Sequence, residues 1–200
     1  MRKLSGTLAA LAIGGTLLLG GHAPALAQEA TPLAVDPIEC VVAPRTAENV
    51  AAIWNAGDYV PDAAIVAGAL PSGTPAPDDV VVAINATLRQ MVACSNANDF
   101  ARQLALLTDE GTQFYAPEGE VPVDELTGFF EGLLATPVAV ADYEVFVPLS
   151  DVILLDDGRV GGIEATESGD GVYLIFAEED GVWLIDSVVE IPGSSATPAA

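Results

Sequence analysis

The last third of the chain alternates apolar runs with short acidic turns that each carry glycine. The first run, residues 143–155, ends at Asp156-Asp157-Gly158-Arg159. Residues 160–165, the turn Ser168-Gly169-Asp170-Gly171, residues 172–177, the turn Glu178-Glu179-Asp180-Gly181 and residues 182–191 follow. Four apolar runs divided by three such turns predict an antiparallel meander. Ile191-Pro192 ends it, because proline cannot continue a central ladder.

Helical spacing fills the region before the meander. Thr46 is placed to cap a short helix that carries Glu48 in its first turn and stops by Gly57. Asp78 or Asp79 opens the strongest helix, with Val81, Ile84, Leu88, Met91 and Val92 on one face. Residues 95–99 interrupt it. A second helix restarts at Asn98 or Asp99 with Phe100, Leu104 and Leu107 on one side. Thr108-Asp109-Glu110-Gly111 reads as a break, and residues 112–115 as one further turn. A third helix begins at Pro122-Val123-Asp124-Glu125. It buries Val123, Leu126, Phe130 and Leu133 and ends at Thr136-Pro137. Residues 71–77, rich in Pro, Ser and Gly, read as a flexible surface loop. Helices followed by a sheet define an α+β class with helices on one sheet face.

The N-terminus changes the picture of where the chain works. Arg2 and Lys3 precede an apolar, small-residue run, and Ala25-Leu26-Ala27 has the spacing of a signal-peptidase site. A secreted chain cleaved after Ala27 is expected, the alternative being an uncleaved anchor. The expected organisation is a signal peptide over 1–27 and an N-terminal extension over 28–77, poorly ordered through Asp36. An α+β domain over 78–191 and a disordered tail over 192–200 complete it. Cleavage leaves four arginines against 29 acids, a net charge of −25, with no lysine or histidine. Such a surface repels nucleic acid and anionic membranes and attracts cations. Cys40 and Cys94 are an even pair in an oxidising compartment, which favours one disulfide over two buried thiols.

Residues 91–100 (Met-Val-Ala-Cys-Ser-Asn-Ala-Asn-Asp-Phe) with Leu107-Thr108-Asp109 resemble the paired-helix start of the NTF2-like superfamily, in particular its SnoaL-like members. Residues 156–160 and 180–188 resemble that superfamily's closing hairpins. The resemblance covers roughly 78–191. It implies a strongly curved antiparallel sheet wrapped around helices as a cone, with an apolar pocket at its open end. Fold of this kind does not fix function.

Without histidine or lysine, the expected mature chain has no Ser-His-Asp, Cys-His, histidine-metal or Schiff-base chemistry. The Asp–His pair of the dehydratase-type relatives has no counterpart. No phosphate loop, dinucleotide fingerprint or EF-hand loop occurs, so no metal and no cofactor is expected. A carboxylate-plus-tyrosine site is the remaining catalytic option, with Asp186, Asp109, Tyr115 and Tyr143 as candidates. Strict alternation puts Asp186 on one face with Val182, Leu184 and Val188, either beside a cavity or paired with Arg159. Aromatic bulk comes from Trp54, Phe100, Phe114, Phe129, Phe130, Tyr143 and Trp183. Phe100, Phe114, Phe130 and Trp183 are the candidate ligand-binding residues. The leading expectation is a secreted acidic domain binding a small apolar or cationic ligand. The alternatives are an isomerase- or cyclase-type enzyme in the same pocket, and a non-catalytic module forming a homodimer through the sheet.

Overall fold

The acidic glycine turns do close hairpins. In the computed structural model, which describes residues 34–57, 59, 70–165 and 171–190, Glu179 pairs with Val182 across Asp180 and Gly181. Both turn residues have positive φ, at 50° and 79°. That geometry matches the right-handed twist of the flanking strands and accounts for the Asp-Gly pair. Five strands form one antiparallel sheet in chain order: β1 (Gly73–Pro75), β2 (Ser150–Leu155), β3 (Val160–Ala165), β4 (Gly171–Glu179) and β5 (Val182–Glu190). Five helices accompany them among the described residues: α1 (Ala47–Trp54), α2 (Asp78–Asn96), α3 (Phe100–Leu104), α4 (Asp109–Gln113) and α5 (Val123–Leu134). The class is α+β, as the pattern predicts. The segment expected as a signal peptide, the expected tail and most of the Ser168–Gly171 turn lie outside the described residues.

Helix starts follow local chemistry. Thr46 accepts from the Asn49 amide, Asp99 from Arg102 and Thr108 from Gly111. Each satisfies one amide that a helix N-terminus leaves unpaired. Thr108–Gly111, expected to break the helical pattern, is therefore itself the start of α4. Asn98, at φ 53°, turns the chain between α2 and α3. Helix α2 lays Ile84, Leu88 and Val92 inward, as its spacing predicts. In α5 only Leu126 and Phe130 of the expected stripe are buried, while Val123 is exposed.

The loop expected at 71–77 is corrected: it contains edge strand β1, with Gly73 opposite Leu155 and Pro75 opposite Ile153. An edge position tolerates proline, because its missing amide faces no partner strand. Gly73 is required by close approach, since a Cβ there would collide with the Leu154 carbonyl.

One sheet face packs on the helices. Val160, Leu174, Phe176 and Ile185 join Val50, Ile53, Ile84, Leu88, Leu104 and Leu126 in the main core. A buried aliphatic or aromatic side chain of this kind contributes about 1.5–3 kcal/mol. The opposite face carries Leu155, Tyr173 and Ile175. Tyr173 lies across Gly161, where a Cβ would strike its ring and hydroxyl.

A second cluster holds the N-terminal stretch in place. Val35, fully buried, packs with Val92, Ala93, Leu106 and the Cys40–Cys94 disulfide. The Val35 amide donates to the Glu144 carbonyl at 3.2 Å. Asn96 donates to the Val35 carbonyl (2.8 Å) and accepts from the Glu144 amide (2.7 Å). Ala34 to Asp36, expected as the end of a loose leader, is thus ordered. The disulfide, the option the cysteine pair favours, ties this stretch to α2.

Candidate functional site

The aromatic side chains gather where α1, α3, α5 and the segment after α4 converge. Trp54, the last residue of α1, is buried, and its indole Nε1 donates to the Thr112 carbonyl at 2.8 Å. That bond fixes the ring. Asn55 ties the segment before α5 to the end of α1 through two bonds with Val121: its Nδ2 donates to the Val121 carbonyl (3.2 Å), and its Oδ1 accepts from the Val121 amide (3.1 Å). Here lies a cavity of about 380 Å³ lined by Trp54, Phe100, Tyr115, Leu126, Phe129 and Glu125, among others. That volume suits a small molecule.

The rings stand at right angles to one another. Phe100 meets Tyr115 edge-to-face (centroids 5.9 Å, 79°) and Phe129 likewise (5.9 Å, 84°). Tyr115 meets Phe114 (5.1 Å, 85°), and Phe114 meets Tyr59 (5.6 Å, 83°). Such pairs add about 0.5–1.5 kcal/mol each beyond their area. Yet Phe129, Phe114 and Tyr115 remain 50%, 44% and 41% exposed. A second cavity of about 550 Å³ shares Trp54 and Pro117 with the first. It is lined by Asn55, Gln113, Phe114, Glu118 and Glu120 as well.

Two ionisable groups interact near the rings. Glu164 is paired with Val172, four residues beyond Val160 on β3, so it falls on the helix-facing side of the sheet. Burial, then the negative charge of Glu144, holds its carboxyl above the usual range. Burial, then the charge of Glu164, holds the Tyr115 hydroxyl above the usual phenol range. Tyr115 is thereby kept as a neutral donor, and the Glu164 carboxyl takes a proton more readily than usual.

The sequence candidates are dispersed. Asp186 lies away from the cleft, with Oδ1 accepting from Thr108 Oγ1 (2.8 Å) and Oδ2 from Arg159 Nη1 (2.9 Å). Its expected face is corrected, because β5 carries a bulge. Ile175 opposes Ser187 while Phe176 opposes Ile185, so Asp186 has no cross-strand partner. Past the bulge the alternation shifts by one, which brings Val188 to the helix side with Trp183 and Ile185. Asp109 is the first residue of α4, and its exposed carboxylate pairs with Arg45 at 2.6 Å. Tyr143 follows a short 3₁₀ turn at Val140–Asp142, on the way to β2. Only Tyr115 of these four lines the aromatic cavity.

Of the ligand-binding candidates, Phe100 lines the 380 Å³ cavity and Phe114 the 550 Å³ one. Phe130 is buried behind them, 6.2 Å from Phe100 and 6.1 Å from Phe129. Trp183 lies in a separate groove with Val41, Val42, Ala83 and Thr87. Sequence reasoning did not single out Glu164 or Glu125. Alternation along β3, counted from Val160, was the available signal for Glu164.

Comparison with protein-family models, characterised proteins and solved structures returns no match.

Proposed function

We propose that this chain is a secreted, acidic, NTF2-like domain that binds a small apolar or cationic ligand in the aromatic cleft. The observation that carries the reading is the cavity lined by Trp54, Phe100, Tyr115 and Phe129, in which Phe100 stands nearly perpendicular to Tyr115 and to Phe129 while three rings of the wider cleft stay 41–50% exposed. Exposed aromatic area in a concave, prearranged wall is the usual basis of small-ligand recognition. Helices followed by the consecutive antiparallel strands β2–β5 support the superfamily assignment and its cone. The Cys40–Cys94 disulfide supports export, and among the described residues no helix is long and apolar enough to cross a membrane.

The test is a fragment titration by ligand-observed NMR on wild type and Phe129→Ala. Fragments are expected to saturate against wild type and to lose at least about tenfold affinity in the variant, as loss of one aromatic wall implies. Fragments that bind both proteins equally would place recognition elsewhere and sink the reading.

A second reading, a carboxylate/tyrosine isomerase, draws on one specific feature. Glu164, with its raised proton affinity, acts on the Tyr115 hydroxyl. The base and donor would then be Glu164 and Tyr115 rather than Asp186 or Asp109. Deuterium incorporation beside the carbonyl of a panel of cyclic ketones tests it. Exchange no faster than in buffer alone removes this option.

A further inference from the structure

The charge distribution narrows the ligand class. All four described arginines are already committed to carboxylates. Arg45 pairs with Asp109, Arg89 with Glu39, Arg102 with Asp99, and Arg159 with Asp157 and Asp186. None of them lines either cavity of the cleft. Glu125 lines the aromatic cavity, and Glu118 and Glu120 line its neighbour. None of these three makes an ion pair among the described residues. The wall is therefore aromatic with uncompensated negative charge at its edge, and the described residues supply no cation to answer it. Among the described residues no group of three His, Cys, Asp or Glu is arranged to hold a metal ion, so a hard divalent ion finds no ligand set there.

We infer that the ligand of the aromatic cleft is a small organic cation, a tertiary or quaternary ammonium. It seats against Trp54, Phe100, Tyr115 and Phe129, with Glu125 at the rim. This inference rests on the cleft being the binding site. Ring faces carry negative potential and attract a cation set against them. A methylated ammonium suits such a box, because its charge is spread over apolar methyl groups and is shed from water cheaply. An anion is repelled by the same rim and by the chain's overall negative charge. A neutral apolar ligand uses the rings but not the carboxylates. The acids also draw a cation in from solution, an effect that weakens with salt.

Calorimetric titration of the folded protein with choline, and with its neutral carbon isostere 3,3-dimethylbutan-1-ol, tests this directly. Choline is expected to bind at least about tenfold more tightly than the alcohol. Glu125→Gln is expected to weaken choline about two- to fivefold, and only at low salt, as for an exposed charge. Phe129→Ala is expected to weaken both ligands. Both substitutions are at exposed positions of α5, and unchanged far-ultraviolet circular dichroism confirms that each variant folds. Equal or tighter binding of the alcohol overturns the cation inference and leaves the cleft reading intact. The cation inference also falls, with the cleft reading again intact, if neither ligand binds while neutral fragments still saturate the wild-type cleft. Binding of choline that neither variant alters overturns both, since the site would then lie elsewhere.

Discussion

The two ends of the helical layer treat polar groups in opposite ways. Each guanidinium nitrogen of Arg45 has a target. Its Nε donates to the Leu104 carbonyl (2.9 Å), Nη2 to Leu107 (2.7 Å) and Nη1 to Asp109 (2.6 Å). Close by, Asn96 binds both Val35 and Glu144, and Gln90 donates to the Glu39 carbonyl. In the cleft, Glu118, Glu120 and Glu125 have no counter-charge among the described residues, and three rings remain partly in water. Satisfied polar groups are what buried, fold-holding regions require, because an unpaired buried group costs a few kcal/mol. Aromatic rings left exposed inside a braced wall serve no such purpose. The difference separates a clamp from a recognition surface, and it decides which substitutions should act on stability and which on binding.

The clamp end should break hardest. Replacing both Cys40 and Cys94 by Ala releases the N-terminal stretch from α2. It should cost about 4 kcal/mol in the chain-entropy account of a loop this long. Denaturant unfolding with and without reductant measures it, and the variant should match reduced wild type. Asp186→Ala comes next. It leaves the Thr108 hydroxyl without its carboxylate and removes an acid paired with Arg159. The expected cost is about 2 kcal/mol, moderated because Asp157 still holds the guanidinium. Cleft affinity should not change. A variant of normal stability with altered affinity would return Asp186 to the list of site residues.

Much of this division is legible in the sequence, and the rest is hidden for identifiable reasons. The meander is legible because Asp-Gly turns act locally, and α2 because its apolar spacing is long. The Asp186–Arg159 pairing is one of two options that an acid among Leu and Val allows. Edge strand β1 is not legible, since Gly and Pro signal a loop unless a partner strand is known. Nor is the β5 bulge, because a bulge belongs to a pair of strands and alternation is counted on one. For the cleft, composition supplies the rings but not their grouping. Phe100 and Trp183 look alike along the chain, yet one lines the aromatic cavity and the other the groove beside Val41 and Val42.

At the cleft end the ranking should invert. Phe129→Ala removes a half-exposed ring from α5 and should cost only about 1 kcal/mol of stability. The same change should lower ligand affinity about tenfold, because a wall of the cavity disappears. Thermal unfolding and titration on one sample read both. A large loss of stability with affinity intact would make Phe129 a core residue and erase the contrast.

The smallest effect probes the border between the two regions, at Glu164. The native fold holds this proton more tightly than the unfolded chain does, through burial and then the charge of Glu144. Its contribution to stability is therefore present at low pH and is lost as pH rises through the raised folded value. Glu39 and Asp157 work in the other direction. Hydrogen bonds from Arg89 and Arg159 hold their carboxyls below the usual range. Their contribution is present above the unfolded value and is lost as pH falls through the folded one. Glu164→Gln removes only the first influence. The variant should be slightly more stable than wild type near pH ~7, and the advantage should vanish near pH ~4, where Glu164 is protonated in both states. Melting temperatures across that interval should show a flatter rise toward acid in the variant. The Tyr115 hydroxyl should also ionise at lower pH once the neighbouring charge is gone, visible as an earlier phenolate absorbance. An unchanged melting profile together with an unchanged phenolate titration would mean that Glu164 is fully hydrated. Its charge would then not reach Tyr115, and the isomerase reading would lose its base.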